Sequence, residues 1–171
     1  MSSDLSTAYH SQGSAVGRWV RLAGWLLLVG MTAATAAIVT RPQIHDWYEH
    51  LVSPSFTPPN WLFGPVWSIL YLMMAIAMWI VAEKHPREEN VFAIGMFLSQ
   101  LTANFFWSFY FFEWHLIAIA LFNLCILWVL VVTTIFAFWQ RSKLAAMLMI
   151  PYLLWISFAF ALNAEFWRLN S

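Results

Sequence analysis

Residues 116–140 read LIAIALFNLCILWVLVVTTIFAFWQ, 25 positions without one charged side chain. An α-helix rises about 1.5 Å per residue, so such a run is long enough to cross the roughly 30 Å hydrocarbon core of a bilayer. Working outward, further uncharged runs occupy 22–40, 51–82, 90–112 and 144–164. Residues 51–82 exceed one crossing, but Pro54, Pro58, Pro59 and Pro65 crowd their first half. A proline inside a helix removes a backbone donor and clashes with the preceding turn. The reading is therefore a structured capping loop at 41–60 and five spans at about 20–40, 61–82, 91–112, 115–139 and 143–166. An alternation of lipid-facing and lumen-facing residues is missing, which argues against a β-barrel. The expected fold class is an all-α integral membrane bundle of five transmembrane helices, with residues 18–171 forming one domain. Residues 1–17 are polar and Ser-rich and are expected to be a disordered extension.

Composition supports this class. The chain has 171 residues, of which 62% are hydrophobic and only 9% charged, against roughly 25% charged in a soluble domain. Mean hydropathy is +0.69. The formal net charge of zero gives no attraction to a polyanion, so a nucleic-acid partner is not expected. A single cysteine, Cys125, cannot form an intrachain disulfide. The N-terminal end of the bundle carries Arg18, Arg21, Lys84, Arg87, Arg141 and Lys143, and the opposite end only Arg41 and Arg168. By the positive-inside rule this predicts a cytoplasmic N-terminus in a bacterial cell membrane. A cleaved signal peptide is the competing reading of the first run, since Ala34-Thr35-Ala36 resembles a cleavage site, but the apolar stretch continues through Ile38 and Val39.

Chemistry-bearing motifs are scarce. There is no C-x-x-C, H-E-x-x-H, P-loop or G-x-G-x-x-G. His45 and His50 are five apart, which is not the i,i+4 spacing of a helical metal pair, so no metal site is expected. Glu83, Glu113 and Glu165 fall at span ends rather than mid-span, where a proton relay would place carboxylates. The spans instead carry aromatics and amides in stripes. Gln100, Asn104, Trp107, Ser108 and Phe111 share one face of the third span. An unpaired amide in hydrocarbon costs several kcal/mol, so this face must meet protein, water or ligand. Hydrogen-bonded packing between helices would explain it as well as a ligand. Gly95, Ser99 and Ala103 form a second, small-residue stripe, suited either to a second protomer or to another helix of the same chain. On the fifth span Tyr152, Trp155, Ala159, Leu162, Asn163 and Phe166 share a face, and on the second Trp67, Tyr71, Met74 and Met78 do. Trp19, Trp114, Trp139 and Trp167 sit at span ends, as interfacial tryptophans do. Convergence of the stripes would build an apolar cavity walled by indoles, with a few amides for orientation.

The loop and second span read Trp47-Tyr48-Glu49-His50-Leu51, Ser53-Pro54-Ser55-Phe56-Thr57-Pro58-Pro59-Asn60-Trp61 and Phe63-Gly64-Pro65-Val66-Trp67-Ser68-Ile69-Leu70-Tyr71. Together with Gln100-Leu101, Asn104, Trp107-Ser108, Phe111-Phe112, Pro151-Tyr152-Leu153, Trp155, Ala159 and Leu162-Asn163, this closely resembles the translocator protein family. Its members are called tryptophan-rich sensory proteins in bacteria and peripheral benzodiazepine receptors in animals. The resemblance covers residues 30–168. It implies a homodimeric five-helix bundle, with the third-span stripe at Gly95, Ser99 and Ala103 as the seam. It implies a pocket under the loop for porphyrins, sterols and isoquinoline or benzodiazepine drugs. The implied ligand-binding residues are Trp47, Trp61, Trp67, Asn104, Trp107, Trp155 and Ala159, with Tyr71, Gln100, Phe111, Leu162 and Asn163 nearby. The segment 162–168 lacks the Tyr of the L/V-x-Y-x-K/R sterol pattern, which counts against strict sterol recognition. The expectation is therefore a receptor or sensor that binds tetrapyrroles, with no obligatory cofactor, in which Arg41, His45 or His50 would meet propionate carboxylates. Transport of porphyrin or sterol, and light- and oxygen-dependent porphyrin breakdown at pocket tryptophans, are the alternatives that the resemblance implies. The spans offer no acid–base pair for ordinary catalysis.

Overall fold

In the computed structural model, residues 2–84 and 87–171 are described, with the side chains of 2–15 and Arg87 left aside. Among them are five helices long and apolar enough to cross a membrane. They are α1 (Ser2–Asp46), α2 (Asn60–Lys84), α3 (Arg87–Ser108), α4 (Ile117–Trp139) and α5 (Lys143–Asn170). The chain is thus a multi-pass membrane protein, as the uncharged runs require. The extension expected at 1–17 lies, except for its last two residues, outside the described side chains.

Besides the start of α1, which is helical from Ser2 where an irregular extension to residue 17 was expected, two boundaries differ from expectation. First, α1 continues to Asp46 and carries Pro42 within it, so the loop begins at Trp47 rather than at residue 41. The ring of Pro42 denies a hydrogen bond only to the Ile38 carbonyl, and four further residues suffice to complete the last turn. The loop contains one 3₁₀ turn, Tyr48–His50. Second, the third span is α-helical only to Ser108. It then widens into a π turn over Phe109–Glu113, closed by Trp114 N–H donating to the Phe109 carbonyl at 2.8 Å. The corner ends at His115, whose φ of 55° is uncommon for a residue with a Cβ.

Around the bundle the helices run α1–α2–α5–α4–α3 and back to α1. Large apolar side chains fill the half nearer the N-terminal end: Met74, Met78, Phe97, Phe138, Met149 and Tyr152 are fully buried. A smaller cluster of Tyr48, Phe111, Leu162 and Phe166 closes the loop end. Ser142 caps α5 by accepting the Ala145 N–H. Trp19, Trp114, Trp139 and Trp167 are all exposed, in keeping with an interfacial belt. Trp25 packs edge-on against Phe97 and Trp79 stacks on Trp19, while Trp128 donates its indole N–H to the Ser157 hydroxyl at 3.0 Å.

Candidate functional site

Between the two clusters lies a cavity of about 530 Å³, walled by α1, α2, the end of α3 with its π turn, and α5, with Tyr48 of the loop at its end. Each wall follows from a helical face. The α2 face gives Trp67 and Tyr71, one turn apart, and above them Trp61 and Gly64. From α3 come Asn104, Trp107 and Ser108. The wider π turn then lets adjacent Phe111 and Phe112 both reach the cavity. The α5 face gives Trp155, Ala159, Leu162 and Asn163. Trp107 and Phe111 are stacked with centroids 5.4 Å apart, and Trp155 packs edge-on against Phe63 at 5.9 Å.

The amides of this wall have defined partners. The Tyr71 hydroxyl donates to Asn104 Oδ1 at 2.5 Å. Trp107 Nε1–H donates to Asn163 Oδ1 at 3.2 Å, and Asn163 Nδ2 donates to the Ile117 carbonyl at 3.0 Å. Asn163 is thereby committed on both sides and works as a brace between α3, α4 and α5. Asn104 lines the cavity with its Oδ1 engaged by Tyr71. Arg41 is the charged residue among those lining the cavity.

Ten of the twelve pocket residues expected from sequence line this one space: Trp61, Trp67, Tyr71, Asn104, Trp107, Phe111, Trp155, Ala159, Leu162 and Asn163. Two do not. Trp47 turns away and stacks on His115 at 4.3 Å, touching Phe111 from outside. Gln100 lies one turn too deep. It is fully buried, its Nε2 is 3.9 Å from Met74 Sδ, and its Oε1 has no partner. Of the three loop polar residues, Arg41 lines the cavity; His45 instead meets Glu49 at 3.1 Å, and His50 is exposed away from it. Sequence reasoning missed the α1 wall of Ala33, Ala36, Ala37, Thr40 and Ile44. Its i, i+3, i+4, i+7, i+11 spacing was legible as a face, but alanines carry no chemistry that marks them. It also missed Phe63 and Phe158.

The Gly95, Ser99 and Ala103 stripe divides. The Ala103 carbonyl accepts from Asn123 Nδ2 of α4 at 2.9 Å, so that end packs within the chain. Ser99 is exposed, and a Cβ on Gly95 would meet nothing within 4 Å.

Burial without a hydrogen-bond partner pushes the Tyr48 phenol up to about 12, because the phenolate loses its hydration. The folded value thus lies above the usual value near 10. The stabilisation is whole below pH 10, where both states are neutral, and fades as pH rises from 10 toward 12 and the unfolded phenol ionises first. Thermal unfolding in detergent should show a loss of stability across that window, and Tyr48→Phe should reduce it. An unchanged alkaline slope in the variant would refute the assignment.

Comparison with known proteins agrees with this geometry. The model of the TspO/MBR family matches residues 23–168. The tryptophan-rich protein TspO of Chlorobaculum tepidum is 38% identical over 149 residues, covering 86% of this chain and 92% of that one. Its namesake in Archaeoglobus fulgidus is 36% identical over 152 residues, 89% of this chain and 98% of that one. The human translocator protein is 32% identical over 154 residues, 89% of this chain and 91% of its own length. With five spans, an aromatic cavity between them and a family match across nearly the whole transmembrane region, the chain belongs to the TspO/MBR family.

Proposed function

We propose that the protein is a membrane receptor that binds a planar hydrophobic ligand, a tetrapyrrole such as protoporphyrin IX, in the cavity between its helices. The observation that carries this reading is the composition of the cavity wall. Trp61, Trp67, Trp107 and Trp155 converge on one space of about 530 Å³, within the range of pockets that enclose a small molecule. Indole faces favour offset stacking on a flat ring. Asn104 adds one oriented polar contact. At the loop end Arg41 offers a guanidinium for a carboxylate. Drugs of the isoquinoline or benzodiazepine type share the flat aromatic character and would occupy the same space. The names of the relatives, sensory and translocator proteins, support a sensing or transport role. The cell-membrane location with a cytoplasmic N-terminus rests on the excess of basic residues at that end.

Titration of the purified protein with protoporphyrin IX, followed by tryptophan fluorescence, tests the reading. Saturable quenching is expected, and a linear response without saturation would refute it.

A homodimer through α3 is the second part of the proposal. It is supported by the open space beside Gly95 and the exposure of Ser99. Small residues on such a face let two backbones approach closely. Gly95→Leu with Ser99→Leu should shift the protein from dimer to monomer in light scattering. A monomeric parent protein, or a dimer untouched by both changes, would refute the seam.

A further inference from the structure

The polar ties around the cavity are unevenly placed. At the loop end, Asn170 grips Val52 twice: its Oδ1 accepts the Val52 N–H at 2.9 Å, and its Nδ2 donates to the Val52 carbonyl at 3.1 Å. Glu49 accepts from Asn60 Nδ2 at 3.1 Å and pairs with His45 on its other oxygen. The loop is thus latched to both α5 and α2. Between α1 and α2, by contrast, the hydrogen bonds among the described residues lie at the far end. There Arg21 clasps Glu83 at 2.5 and 3.1 Å, and Trp79 Nε1–H donates to the Arg18 carbonyl at 3.3 Å.

Alongside the cavity the same two helices present small residues, Ala33 and Ala37 on α1 and Gly64 and Ser68 on α2. Gly64 and Ser68 line the cavity and yet are exposed, and a Cβ on Gly64 would meet nothing within 4 Å. Exposed wall residues mark where side chains leave the space unfilled, here beside α1, whose Ala33, Ala36 and Ala37 line the same space. Both positions fall within the α2 span, so an opening on this side would face the bilayer and not the aqueous phase. In addition, α1 is the least buried wall, with 11% of its most apolar 18-residue stretch buried against 28–39% for the other four.

We infer that hydrophobic ligands pass between the bilayer and the cavity sideways, through an opening between α1 and α2 rimmed by Gly64 and Ser68, while the loop above stays latched. This rests on the reading of the cavity as a ligand site. The physical ground is the cost of each route. Lifting the loop breaks the Val52–Asn170 pair and the contacts of Glu49. Bowing the middle of α1 away from α2, between the Arg21–Glu83 clasp at one end and the Gln43–His115 and His45–Glu49 contacts at the other, leaves those ties in place and separates small side chains that lipid can solvate. A ligand dissolved in hydrocarbon also avoids transfer through water on this path.

The test uses the full chain and protoporphyrin IX delivered from phosphatidylcholine vesicles, with association and dissociation followed by stopped-flow quenching. A side chain that plugs a passage slows traffic in both directions. Gly64→Trp is expected to slow association and dissociation together, each by about tenfold or more, whereas Asn170→Ala should change neither by more than about twofold. Ser68→Phe on the same rim is the second variant, should Gly64→Trp not fold. Unchanged rates in the rim variants, or acceleration by Asn170→Ala, would overturn the sideways route in favour of the loop. Faster dissociation in a rim variant would make it a lost wall contact and would equally overturn the route. Failure of the unmodified protein to bind saturably would overturn the functional reading itself, and the route with it.

Discussion

Removing the indoles of Trp67 and Trp155 together should abolish most tetrapyrrole binding. The two rings come from α2 and α5, and both line the cavity, so a flat ligand between them loses contact on two sides. Each lost aromatic contact is worth about 1.5 kcal/mol, or about 3 kcal/mol for the pair, which is a rise of about 10²-fold in Kd. Trp67→Ala and Trp155→Ala alone should each cost about tenfold on the same scale. Helix content and oligomeric state serve as controls, since Trp67 also packs edge-on against Tyr152 at 6.1 Å and its loss will soften that contact. Replacing Trp139 by Ala is the negative control: it is exposed at the far end of α4 and should leave Kd unchanged. Undiminished affinity in the Trp67→Ala, Trp155→Ala double variant would sink the pocket assignment, however well the protein bound porphyrin elsewhere.

The second large effect concerns stability. Asn163→Ala removes the acceptor for Trp107 Nε1–H and the donor to the Ile117 carbonyl in one step. An unsatisfied polar group away from water costs about 1–3 kcal/mol, although hydrogen bonds between transmembrane helices average only about 0.6 kcal/mol because the unfolded chain in a membrane finds partners too. A net loss of about 1–3 kcal/mol is expected, read as a lower unfolding midpoint in detergent. Trp107→Phe keeps a ring beside Phe111 but gives up the N–H. The Asn163→Ala, Trp107→Phe cycle should therefore show coupling, and strict additivity would remove Asn163 from its role as brace. The same variant should loosen the Trp107 ring and weaken porphyrin binding, linking the stability of the α3–α5 contact to the shape of the site.

The uncharged runs were enough to place five spans, because hydrocarbon tolerates no unpaired backbone and a run without the alternation of a barrel strand can cross only as a helix of sufficient length. The helical stripes were likewise legible: Asn104, Trp107 and Phe111 recur on one face, and a polar amide on such a face must find a partner. Depth was not legible. Gln100 and Asn104 are one turn apart on the same stripe, yet Asn104 borders the cavity and Gln100 is packed beneath it against Met74. Only the sizes of side chains arriving from α2 and α5 decide where the filled core stops and the cavity begins. Trp47 fails for a related reason. The π turn and the backbone of His115 bring an imidazole under its ring, and a one-residue widening of a helix leaves no periodic signal in the sequence.

The sequence by itself therefore determined the class, the spans, the family and the kind of surface the interior would carry, since these follow from local composition and helical period. The tertiary structure decided which of those surfaces meet, where the space between them is left open, and which amides are spent on each other. Those outcomes depend on contacts between residues far apart in the chain, such as Trp107 with Asn163 and Val52 with Asn170. The α1 wall shows the division clearly: its alanines are unremarkable in sequence, and they become one side of the cavity only because Gly64 and Ser68 of α2 stand beside the same space.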